Sequence, residues 1–194
     1  MTDTGPRIFR DIGTRYLSPI QRLANHSSVA LLCSISPAPH ILMIKRAERA
    51  GDPWSGDMAF PGGRRSPSDQ HHIDTALREL HEEVGLHISS RPVLSLNTVW
   101  TKSHNTLRPM AIHPYVFEVD KPLSFELSHE VSDAVWIPVE IFKNSPREHF
   151  PWKVSHFKLT MPCFYYRKFR IWGLSLKMID NLMATDYFAR LSGK

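Results

Sequence analysis

Three glutamates, Glu79, Glu82 and Glu83, stand at positions i, i+3 and i+4 of the stretch Arg78–Leu86. On a helix that spacing brings all three carboxylates to one side. Clustered like charges repel, so the arrangement costs stability unless cations sit among them. Hard oxygen donors of this kind suit Mg²⁺ or Mn²⁺, with substrate phosphates completing an octahedral shell. Glu79 and Glu83 are the best aligned ligands. Glu82 is a further ligand or the catalytic base, and Glu79 is the other candidate for that base. A solvated acidic helix face is the plain alternative. Two neighbours favour a site instead. The glycine pair Gly62-Gly63 lets backbone approach backbone, so a carbonyl at Gly63 can reach the same cation. Arg78 precedes Glu82 by four residues and can orient its carboxylate.

The elements that would carry these groups are legible in outline. Ile73, Ala76, Leu77, Leu80 and Val84 form one apolar stripe, which predicts a helix over 70–84 that Gly85 terminates with a left-handed cap. Val29–Ile35 and Ile41–Ile44 read as buried strands joined by a proline-rich connection. Residues 47–68, rich in Gly, Pro and Ser, form a candidate functional loop. Strand character recurs near 92–101, 109–119 and 133–138, and 174–191 reads as one amphipathic helix. Residues 6–25 carry a weaker helical pattern. The expected class is α+β, an α/β/α sandwich around a mixed sheet. It comprises an N-terminal helical extension, 1–27, and one catalytic domain, 28–194.

The stretch Arg78-Glu-Leu-His-Glu-Glu-Val-Gly-Leu86 resembles the second half of the Nudix box at every specified position. In the first half, Asp69 stands where that box has glutamate, and eight residues rather than seven separate it from Arg78. The inserted residue and the Phe60-Pro-Gly-Gly63 start are similar to the coenzyme A pyrophosphatase branch of the family. That branch has an arginine-rich stretch upstream; here it holds Arg46 and Arg49, while the branch's histidine is replaced in the segment Trp54-Ser55. Glu130–Pro138 and Phe164–Gly173 resemble later strands of the same branch. The resemblance implies a sandwich fold and divalent-cation-dependent hydrolysis of a pyrophosphate bond in a nucleotide conjugate. Arg46, Arg49 and Arg64 are then candidates for holding substrate phosphates, by guanidinium forks that grip phosphate oxygens.

Composition narrows the partners. A net charge of +5 suits an anionic partner, but Lys and Arg are scattered with no basic stripe. A small nucleotide substrate is therefore expected, and neither nucleic acid nor a membrane. No apolar run approaches the ~20 residues of a membrane span. The first 28 residues lack a signal-peptide core, so a cytoplasmic location is expected, with organellar import as the alternative. Cys33 and Cys163 are expected as buried free thiols. The histidines at 71, 72, 81, 104 and 113 show no zinc spacing and are expected in surface or structural roles, with His104 a secondary substrate candidate. Trp136, Trp172, Tyr165 and Tyr166 are expected to pack in the core.

Coenzyme A or an acyl derivative is the leading substrate. The alternatives are ADP-ribose, a dinucleoside polyphosphate or an oxidised nucleoside triphosphate. A non-catalytic nucleotide-binding module is the remaining reading, disfavoured because no glutamate of the triplet is missing.

Overall fold

In a computed structural model, residues 24–52, 54–102, 108–154 and 157–193 are described. The strands in chain order are β1 (Asn25–Ser34), β2 (His40–Arg46), β3 (Met58–Ala59), β4 (Gly62–Arg64), β5 (Leu94–Ser95) and β6 (Val99–Lys102). They continue with β7 (Pro109–Val119), β8 (Val131–Pro138), β9 (Glu148–Val154), β10 (Phe157–Tyr166) and β11 (Phe169–Trp172). The helices are α1 (His72–Val84), α2 (Val139–Asn144), α3 (Gly173–Met183) and α4 (Asp186–Leu191).

From Ser27 to Ser34 every residue of β1 is buried, the pattern of a strand covered on both faces. It lies parallel to β7 over ten residue pairs, Asn25↔Met110 through Ser34↔Val119. The other edge of β1 is shared. Its C-terminal end pairs antiparallel with β2 at Cys33↔Ile41 and Ser34↔His40, and its N-terminal end pairs antiparallel with β4 at Ser27↔Arg64 through Val29↔Gly62. Beyond that start β2 takes β3 as a neighbour, at Ile44↔Ala59 and Lys45↔Met58. The segment Met58–Arg64 thus bridges β2 and β1, pinned midway where the Ala30 N–H donates to the Pro61 carbonyl at 2.8 Å. β8 covers the far edge of β2, while β5 and β6 pair with β7.

Alternate side chains of β1 enter two cores. Ala30 and Leu32 join Leu42, Ile44 and Phe117 against Ala76, Leu80 and Val84 of α1. Leu31 and Cys33 join Ile41 and Met43 on the opposite face, against Leu176, Ile179 and Leu182 of α3 and Tyr187 and Phe188 of α4. This is the α/β/α sandwich with a mixed sheet that the pattern of elements predicts. Full burial of a leucine such as Leu31 or Leu80 contributes about 1.5–3 kcal/mol over exposure. A second, antiparallel sheet consists of β9, β10 and β11; its last strand packs beside β3 and leads into α3.

Several expectations are refined. The strand read from 29 begins at Asn25, so the last residue of the predicted 6–25 helix is in β1; the extension up to residue 23 lies outside the described residues. The region 92–101 resolves into β5 and β6. The closing helix is two helices, because Thr185 caps α4 by accepting from the Phe188 N–H. Tyr166 packs against the core as expected, but Tyr165 is 41% exposed, since neighbours on β10 face opposite ways. Trp136 packs beside α1 and donates to the Leu123 carbonyl at 3.0 Å. Both cysteines are free and buried. Among the described residues no helix is long and apolar enough to cross a membrane.

The contact of β4 with β1 leaves no room for a side chain at Gly62. A Cβ there would overlap the Ser28 carbonyl oxygen and lie 2.7 Å from the Val29 Cα. Gly62→Ala should therefore destabilise the fold by about 1–3 kcal/mol, as overpacking against backbone does. A urea midpoint equal to that of the parent protein would contradict this.

Candidate active site

Helix α1 starts where the His71 N–H donates to the Asp74 carboxylate at 2.7 Å, and it ends on Gly85 with φ 71°. Between those ends Glu79, Glu82 and Glu83 project beside the strand Gly62–Arg64, along the rim of the apolar stripe. The Glu82 side chain is 54% exposed, Glu79 is 16% exposed, and Glu83 is buried. The Gly62 N–H donates to Glu83 Oε2 at 2.9 Å, which ties helix to loop. A Cβ on Gly63 would overlap the Glu79 carboxylate, so that carboxylate lies directly over the Gly63 backbone.

Arg78 organises the group. One guanidinium nitrogen donates to Glu79 Oε1 and to Glu82 Oε2, each at 2.9 Å. Another donates to the Arg64 carbonyl at 3.0 Å. The remaining bonds reach both oxygens of Asp69 at 3.1 Å. Asp69 is buried and also accepts from the Ser66 N–H and the Thr75 hydroxyl. The Arg78 hydrogen bonds, foremost, hold its carboxyl down at about 2. The shifted spacing before Arg78 therefore leaves Asp69 in a firm role. It anchors the arginine that orients two of the glutamates. Arg65, not singled out by the sequence, closes the same turn by donating to the carbonyls of Asp69 and Gln70.

Burial raises the carboxyls of Glu79 and Glu83, the latter to about 7. Arg78 opposes this for Glu79 and the Gly62 N–H opposes it for Glu83, while the neighbouring glutamates add to the rise, Glu130 among them. Half-buried carboxylates that disfavour one another's charge are a donor set that a divalent cation fits, because it supplies the missing positive charge. Glu130 is a fourth acid near the cluster. Its only signal in the sequence is an acidic residue ahead of β8.

Two of the arginines expected to hold phosphate already have protein partners. Arg46 pairs with Asp52 at 2.8 Å and Arg49 with Glu130 at 3.1 Å. Arg64 has an exposed side chain at the end of β4, and its carbonyl serves Arg78. The loop that follows Arg46 and carries Arg49 is held by residues at the C-terminal end of the chain. Trp172 Nε1 donates to Asp57 at 2.9 Å, and the Ser175 hydroxyl donates to the Met58 carbonyl at 2.8 Å. Trp172 also meets Phe150 and Trp152 edge-on, so it braces the loop rather than filling the core. His104 lies outside the described residues. His72 and His113, expected in surface or structural roles, come together with His26.

Two substitutions test this geometry. Gly63→Ala should push the Glu79 carboxylate aside and lower turnover on the order of 10², the effect of a misplacement of about 1 Å, with thermal stability close to the parent. Asp69→Asn should remove charge-assisted bonds and cost about 2 kcal/mol of stability at neutral pH. Because the folded carboxyl sits below its unfolded value, this contribution is present above about pH 4 and lost as pH falls towards 2. The parent and Asp69→Asn should therefore converge in stability on acidification. A gap that stays constant down to pH 2 would contradict the assignment.

Residues 25–158 match the NUDIX domain. The chain is 31% identical over 187 residues to the mitochondrial coenzyme A diphosphatase NUDT8 of Homo sapiens, covering 89% of this chain and 75% of that protein. It is 37% identical over 162 residues to an uncharacterised Nudix hydrolase, NudL, of Yersinia enterocolitica, covering 82% and 80% respectively. Its fold is similar to that of a MutT/nudix family protein from Enterococcus faecalis, with a TM-score of 0.57 and 15% identity over 93% of this chain and 70% of that one. The helix that sets three glutamates and their arginine against a double-glycine strand is thus the Nudix box of this chain, which belongs to the Nudix family and is a pyrophosphohydrolase.

Proposed function

We propose that the protein hydrolyses the pyrophosphate of coenzyme A or an acyl-coenzyme A, releasing 3′,5′-ADP and a 4′-phosphopantetheine product. The observation that carries the chemistry is the set of three carboxylates packed around Gly62 and Gly63 and cross-linked by Arg78. The substrate rests on the relative named as a coenzyme A diphosphatase and on the Phe60-Pro61-Gly62-Gly63 start of the box.

Glu79, Glu83 and the Gly63 carbonyl would hold Mg²⁺ or Mn²⁺. When bound, such a cation would neutralise the phosphate oxygens that repel a nucleophile and would acidify the attacking water. Glu82 takes the proton of that water, because its carboxylate is the most exposed of the three. Oxygen from water joins one phosphorus while the bond to the bridging oxygen breaks, and the departing phosphate leaves in line. Arg78 keeps Glu82 and Glu79 in fixed relation through this exchange, at 2.9 Å from each. Arg64, whose side chain is exposed at the end of β4, can meet a substrate phosphate directly. Arg46 and Arg49 would have to exchange Asp52 and Glu130 for substrate phosphate.

Excess chelator should abolish hydrolysis, and added Mg²⁺ or Mn²⁺ should restore it. Glu83→Gln should lower turnover by on the order of 10²–10⁴, and Glu82→Gln by a similar factor with little change in the Mg²⁺ concentration needed for half activity. A raised Mg²⁺ requirement in Glu82→Gln would make it a ligand instead of the base.

The substrate is tested by comparing kcat/KM on coenzyme A, ADP-ribose, diadenosine polyphosphates and 8-oxo-dGTP under one Mg²⁺ concentration, with products identified by mass. Coenzyme A should lead. A tenfold preference for any other substrate would overturn the coenzyme A reading and leave the family membership standing.

A further inference from the structure

At the opposite end of α1 from Glu82 and Glu83, three imidazoles from distant parts of the chain meet. His26 lies in β1, His113 in β7, and His72 is the first residue of α1. One ring nitrogen from each lies within 4.8 Å of the others. His26 Nδ1 and His113 Nε2 are 3.0 Å apart, and the His72 and His113 rings stack with centroids 4.0 Å apart. None of the three takes part in the chemistry proposed for the glutamates.

We propose that His26, His72 and His113 form a second metal site, taking a borderline transition-metal ion such as Zn²⁺ rather than Mg²⁺. A set of three neutral nitrogen donors suits Zn²⁺, Ni²⁺, Co²⁺ or Cu²⁺, whereas Mg²⁺ demands oxygen. Two imidazole nitrogens on one tetrahedral ion, each at about 2.0–2.1 Å, lie roughly 3.4 Å apart, a spacing the three rings reach by rotating out of their stacked arrangement. His113 also has the supporting partner that ligating histidines carry. Its Nδ1 lies 3.2 Å from the Thr98 hydroxyl, which leaves Nε2 turned towards His26.

The surroundings of His26 and His113 favour the unprotonated ring. Burial first, then His72 and His26, lowers His113 to about 4, and burial followed by the nearby Arg65 lowers His26. The guanidinium of Arg65 is committed to the carbonyls of Asp69 and Gln70. Residues 72 and 79 are seven apart, so the two sites stand about 10 Å apart along the helix axis. An ion here would clamp the start of α1 to β1 and β7, upstream of the glutamates that α1 presents.

The test uses the whole protein, stripped by chelator, dialysed and held in saturating Mg²⁺ to fill the carboxylate cluster. Titration with Co²⁺ should show one equivalent bound, with the intense visible absorption of a four-coordinate ion, and Zn²⁺ should displace it. His72→Gln should weaken Zn²⁺ binding by on the order of 10² and abolish that absorption, while circular dichroism and Mg²⁺-dependent hydrolysis stay at the parent level. Thr98→Val, which keeps all three ligands, should weaken it by about tenfold. The proposal is overturned if the parent binds no equivalent of Co²⁺ or Zn²⁺ in saturating Mg²⁺. It is equally overturned if the Co²⁺ absorption persists in His72→Gln and disappears in Glu83→Gln.

Discussion

The guanidinium of Arg78 donates at once to Asp69, Glu79, Glu82 and the Arg64 carbonyl, so helix, turn and glycine strand meet on a single planar cation. A rigid fork of five N–H donors is the side chain that can do this, because its bonds diverge in one plane at fixed angles. Remove it, and two carboxylates lose both a counter-charge and a direction. The buried Asp69 makes the arrangement stiff. Its four donors, from Ser66, Thr75 and two nitrogens of Arg78, leave the guanidinium little freedom to follow either glutamate.

The sheet solves the complementary problem of bringing backbone close to acids. Because β1 shares one edge between β2 and β4, a loop can enter the sheet and expose the Gly62 N–H to Glu83 and the Gly63 backbone to Glu79. Two glycines are needed there for different reasons. Gly62 has no space because of the β1 backbone, and Gly63 has none because of the Glu79 carboxylate. Trp172 and Ser175 hold the loop from the C-terminal side, which couples the small sheet and α3 to the position of the box.

The charges around the box are nearly spoken for within the protein. Arg46, Arg49 and Arg78 each face a carboxylate, yet Glu79 is still raised by burial and by Glu82 and Glu130, and Glu83 by burial and by Glu79 and Glu130. The local balance is short of positive charge, which a divalent cation would supply, and at Glu83 that cation would compete with a proton.

What the sequence by itself determined is whatever a helix or strand repeats over a few residues. The stripe Ile73 to Val84 set α1, Gly85 ended it, and i, i+3, i+4 spacing put Glu79, Glu82 and Glu83 on one side. The doubly buried run of β1 and the strand at 109–119 were legible for the same reason, as was the sandwich built from them. Tertiary structure decided the rest. The ion pairs Arg49–Glu130 and Arg78–Asp69, the burial of Asp69 despite its shifted spacing, and the meeting of His26, His72 and His113 join groups on different elements. No periodicity records such encounters, because they depend on the parallel register of β1 with β7 and on where α1 crosses the sheet. That register is fixed by burying both faces of β1 at once, a constraint on the whole chain that no short segment of it carries.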